Sequence, residues 1–132
     1  MRGLFAVVFL IACGADAGPE PLCPPLPETC SPQYPATFDS VFINTLKTSC
    51  GVGGNSCHAG PTPQAGLGLD DADRAYFGLL EGELVVPNDP ACSPLIQRLN
   101  HDNPNLLMPP GMALPPSEIC AIRQWIEAGA PR

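Results

Sequence analysis

Apolar residues return at helical spacing in four stretches of this chain. Phe38, Val41, Phe42, Thr45 and Leu46 form one stripe and predict a first helix over Thr37–Thr48, which Thr37 or Asp39 caps. Ala72, Ala75, Tyr76 and Leu79 predict a second, with Asp70 as its cap, Asp71 and Asp73 in its first turn and Gly82 at its end. Ser93-Pro94 is a start signal for a short third helix that turns Leu95, Ile96 and Leu99 inward. Ile119, Ile122, Trp125 and Ile126 predict the last helix, from about Pro116 to Ala128, ended by Gly129. Between the third and last helices, Leu106 to Met112 is an apolar loop stiffened by Pro109 and Pro110. Val85-Val86-Pro87 reads as extended. The fold class is all-α, a small bundle of about four to five short helices with long loops.

A different apolar pattern opens the chain. Leu4 to Ile11 is continuous, follows Arg2, and is too short to span a bilayer. Residues 1–12 therefore read as an export signal. Leu10-Ile11-Ala12-Cys13 resembles a bacterial lipobox, which implies that Cys13 is lipidated and becomes the first residue of the mature protein. Gly14 rather than aspartate follows, which by the same resemblance permits sorting to the outer membrane. The expected location is exported and lipid-anchored, at the periplasmic or outer-membrane surface. An ordinary secretory signal with an incidental cysteine is the other reading. Residues 13–36 are rich in proline and read as a semi-rigid extended tether. Residues 37–132 remain as one domain.

Composition narrows the partners. Thirteen acidic residues stand against six basic ones, for a formal charge of −7. Loss of Arg2 with residues 1–12 moves this to −8. There is no basic cluster, so no nucleic acid is expected, and cationic protein partners are favoured. Seven cysteines in 132 residues point to an oxidising compartment.

The chemistry concentrates in Ser49-Cys50-Gly51-Val52-Gly53-Gly54-Asn55-Ser56-Cys57-His58. Cys-x-x-Cys-His is the signature of covalent haem attachment. Here the gap between the cysteines is six residues, and Gly51, Gly53 and Gly54 give the longer loop room to bulge. A disulfide closing a glycine-rich loop is the competing reading of Cys50 and Cys57. Zinc held by Cys50, Cys57, His58 and His101 is a third. Cys23 and Cys30 share the same spacing without the histidine and are expected to form a local disulfide. Cys120 falls away from the apolar stripe of the last helix, where a free thiol is awkward, and Cys92 is its expected partner.

Residues 37–132 resemble a single-haem class I c-type cytochrome domain of exported bacterial lipoproteins. The resemblance rests on Cys50…Cys57-His58 behind a short helix, and on Met108-Pro109-Pro110-Gly111…Leu114…Glu118-Ile119…Ile122-Arg123-Gln124-Trp125-Ile126-Glu127-Ala128-Gly129-Ala130. It implies one covalent haem c, with Cys50 and Cys57 as thioethers, His58 as proximal ligand and Met108 as distal ligand, Met112 being the weaker candidate. It also implies a last helix packed on the first, with a capping serine or aspartate where this chain has Pro115. The function implied is electron transfer, not enzymatic catalysis, by a monomer meeting redox proteins of the envelope. The rival is a haem-free, disulfide-stabilised binding or structural module on the same scaffold.

The remaining motifs read blandly. Trp125 is a core residue. His101 is an exposed loop residue. Asp70-Asp71-x-Asp73 lacks the glycine and distal glutamate of a calcium loop. No hydrolytic triad or phosphate-binding glycine loop is present.

Overall fold

The computed structural model describes residues 23–132. The export signal over residues 1–12, the lipidation site Cys13 and the tether as far as residue 22 lie outside the described residues.

Thr37 is extended, and its Oγ1 accepts a hydrogen bond from the Ser40 amide at 3.3 Å, which starts α1 (Phe38–Val41). The chain then continues as a π-helical stretch over Phe42–Cys50. The expected helix is thus present, runs to Cys50, and changes its period on the way. Asn44 Nδ2 donates to the Ser40 carbonyl and Thr48 Oγ1 to the Asn44 carbonyl, both at 2.8 Å. These side chains compete for the carbonyls that ordinary i→i−4 bonds would use.

The remaining elements are α2 (Ala72–Glu81), α3 (Pro94–Leu99) and α4 (Pro116–Glu127), with short 3₁₀ turns at Gly54–Ser56 and Gln64–Gly66. The fold is all-α, and the described residues contain no strand. Phe38 from α1 packs against Trp125 from α4, ring centroids 5.5 Å apart and planes tilted by 45°, so the last helix does pack on the first. Val41, Leu46, Ala75, Leu79, Ile96, Ile122 and Ile126 complete a core with essentially no exposure. Trp125 is fully buried, and its Nε1 donates to the Pro131 carbonyl at 2.8 Å, so it is a core residue with its one polar atom satisfied.

Two expected caps are corrected. Asp71, not Asp70, caps α2: it is the extended residue, and its carboxylate accepts from the Arg74 amide at 3.0 Å. Ser93 precedes α3 but makes no capping bond. Its buried hydroxyl donates to the Asp89 carbonyl at 2.8 Å and accepts from the Val86 amide at 2.9 Å, pinning the preceding loop instead. Pro115 leads into α4 without a side-chain cap, as a proline must.

The cysteine pairing and the tether are corrected together. Cys23 bonds to Cys92 and Cys30 to Cys120, in place of Cys23–Cys30 and Cys92–Cys120. All four cysteines are oxidised, but every link runs out of the Pro-rich segment, one to the turn before α3 and one to α4. Residues 23–36 are therefore a strap lying on the domain. Gln33 donates its amide to the Ser117 carbonyl at 3.0 Å, Ser117 Oγ donates to Gln33 Oε1 at 3.0 Å, and Arg123 donates to the Pro27 carbonyl. The strap covers the face of α4 that carries Cys120, which leaves that residue 2% exposed. This is why a cysteine off the apolar stripe is nonetheless buried.

A candidate cofactor cleft

An open cleft of about 560 Å³ lies where the π-helical stretch, the glycine loop, α3 and the methionine loop meet. Its volume is in the range of small-molecule and cofactor sites. Cys50, Cys57, His58 and Met108 all line it, together with the apolar side chains of Leu67, Leu69, Leu84, Leu95 and Leu99.

The glycine loop owes its shape to close approaches. A Cβ on Gly51 would stand 2.2 Å from the Leu69 carbonyl oxygen, so only glycine lets the two backbones meet there. Gly53 has φ +70°, and a Cβ on it would lie 2.8 Å from Cys57 Sγ. Across the loop, the His58 amide donates to the Cys50 carbonyl at 3.3 Å and the Leu69 amide to the His58 carbonyl at 2.7 Å. The six-residue gap thus folds back on itself and returns His58 beside the end of the helix that carries Cys50.

A clamp outside the cleft holds the loop to α2. Asp70 Oδ2 accepts from the Gly60 amide at 2.9 Å while Arg74 Nη1 donates to the Gly60 carbonyl at 2.8 Å, and the two side chains form an ion pair at 3.5 Å. The Gly60 amide is the main cause of an Asp70 carboxyl held below the usual carboxylate range, followed by neighbouring backbone amides and Arg74. Asp70 is committed to this loop, which accounts for its absence from the cap.

His58 Nδ1 lies 3.2 Å from the Leu67 carbonyl oxygen. With its proton donated to that oxygen, Nδ1 leaves the lone pair on Nε2, the arrangement that orients an imidazole for metal binding. Leu67 was invisible as a functional position in the sequence because it acts through its main chain. Cys50 and Cys57 are both free thiols. Burial pushes the Cys50 thiol up to about 11, reinforced by Cys57 and Glu118. It is therefore protonated at neutral pH and a poor nucleophile for disulfide formation.

Met108 is half-buried on the cleft wall, and its amide donates to the Arg98 carbonyl at 3.0 Å. Met112 is 70% exposed and does not line the cleft. The zinc reading lacks its geometry: among the described residues no three His, Cys, Asp or Glu side chains converge on a metal site. His101 Nδ1 instead accepts from the Asn103 amide at 3.1 Å.

The donor set fits a covalently held haem: two reduced thiols, an imidazole with its Nε2 lone pair free, and a thioether share one largely apolar cleft. A family model described as Planctomycete cytochrome C matches residues 55–111. The matched span takes in Cys57, His58 and Met108 and begins after Cys50. It supports a cytochrome c-like domain. No curated protein and no solved structure matches the chain.

Proposed function

We propose that this chain is an electron carrier of the cell envelope that holds one haem c in the cleft. Cys50 and Cys57 would hold the ring as thioethers, and His58 Nε2 and the Met108 sulfur would be the axial ligands. When bound, such a group supplies one-electron exchange at its iron. The observation that carries the reading is the convergence of Cys50, Cys57, His58 and Met108 on one apolar cleft. The family match over residues 55–111 supports it at the coarser level of a cytochrome c-like domain.

The chain's own residues define the rest of the role. The Leu67 carbonyl fixes the plane and tautomer of His58. The Asp70–Gly60–Arg74 clamp ties the chain two residues beyond His58 to the start of α2. Met108 would hold the iron together with His58, and a group held on both sides would supply electron transfer in preference to substrate chemistry. Cys13, if acylated, would anchor the carrier through several chains, each buried methylene contributing about 0.8 kcal/mol. Its partners would be envelope redox proteins met by a monomer in brief encounters of small area.

Expression together with haem-attachment machinery tests this directly. The expected product is red, heavier by one haem, and free of titratable thiols at Cys50 and Cys57. Met108→Ala should then lower the reduction potential and open the iron to added ligands, while Met112→Ala leaves both unchanged. A colourless protein with Cys50 joined to Cys57 overturns the proposal. That outcome would leave a haem-free structural module, a reading favoured by one observation: Cys23–Cys92 and Cys30–Cys120 brace the fold without either cleft thiol.

A further inference from the structure

Among the described residues, Arg98 is the one Asp, Glu, Lys or Arg residue lining the cleft. It is exposed, so it stands at the mouth and not in the depth. The other arginines among the described residues each have a carboxylate partner: Arg74 pairs with Asp70, Arg123 with Glu127, and Arg132 with Asp73 and Asp39. Arg98 has none among the described residues. Its guanidinium spends one donor, Nη1 to the Leu106 carbonyl at 3.3 Å. That bond, with the Met108 amide on the Arg98 carbonyl, fixes the arginine against the methionine loop. A guanidinium carries five N–H donors in a rigid fork matched to carboxylate geometry, and most of this one remains unspent.

We propose that Arg98 is the recognition residue for the carboxylates on the rim of a tetrapyrrole, which it receives at the cleft mouth. This rests on the haem reading of the cleft. The apolar face of such a ligand suits the leucine-lined interior, while its anionic edge needs water and a cation, and the mouth offers both. Arg98 thereby sets which way round the ring enters. In the same position it ties α3 to the loop carrying Met108.

The experiment uses the full chain produced without attachment machinery, titrated with iron protoporphyrin IX and, separately, with its dimethyl ester. Binding is followed by visible absorbance and by quenching of Trp125 fluorescence. Wild type should bind both. Arg98→Gln should weaken binding of the free acid about tenfold or more and leave the ester unchanged, as expected for loss of a charge-assisted pair. Arg98→Lys should recover part of the loss, keeping the charge without the fork. Equal weakening of both ligands assigns Arg98 to loop positioning alone and overturns the proposal, as does no change in either. A wild-type chain that binds neither tetrapyrrole overturns the haem reading and this assignment with it.

Discussion

Cys50 shows how a single residue's surroundings become measurable. Its pKa of about 11 in the fold, against 9.0 without the fold's influence, means that the native state holds the thiol proton more tightly than the unfolded chain. A folded pKa raised in this way contributes stability that is complete below pH 9 and is lost as pH rises towards 11. The full effect amounts to about 2–3 kcal/mol. Denaturant titrations of the haem-free protein between pH 7 and 11 should show this alkaline loss, and Cys50→Ala should flatten it. An unchanged slope in the variant would place the titrating group elsewhere. The four residues of the proposed site, Cys50, Cys57, His58 and Met108, stand out in the chain by residue type and spacing, and the structure places all four on one cleft. Leu67 and Arg98 do not stand out, one because a carbonyl has no residue signature, the other because a lone arginine gains meaning only when it lines the cleft without a carboxylate partner.

At the scale of elements, the strap is the main departure from expectation. Its prolines keep it extended, and extension lets Cys23 and Cys30, seven positions apart, reach two separate parts of the domain. The links close loops with sequence separations of 69 and 90 residues, so each strongly restricts the unfolded chain. Replacing Cys30 and Cys120 by serine should cost about 3–4 kcal/mol in urea unfolding. It should also uncover the α4 face that the strap shields, detectable as faster amide exchange at Arg123 and Gln124 with little change around His58. If exchange at His58 rises as much as at α4, strap and cleft are one cooperative unit. Helix existence was readable from apolar periodicity, since burial alone sets that pattern. The π-helical period over Phe42–Cys50 was not, because apolar spacing does not distinguish it from an α-helix over so short a stretch. The cap of α2 was misplaced by one residue because two adjacent aspartates are equivalent until one is drawn to Gly60.

For the molecule as a whole, charge governs encounters. A chain with net charge −7 attracts cationic partners at a distance, and salt screens that attraction over about 8–10 Å. On the electron-carrier proposal, exchange with a basic redox protein should therefore slow about tenfold between low and physiological ionic strength, while exchange with an acidic one should quicken. Stopped-flow rates across a salt series would decide this, and a flat response to both partners would remove electrostatic steering from the account.

The sequence by itself determined the all-α class, the stripes that build the core and the residue types that line the cleft, since each follows from local periodicity or side-chain chemistry. Only the tertiary structure decided how four cysteines pair, since four allow three connectivities and spacing does not choose among them. It also decided that residues 23–36 of the proline segment are a strap, that Met108 and not Met112 lines the cleft, and that an exposed Arg98 lines it too. Those are facts of proximity between residues far apart in the chain, and no local pattern encodes them.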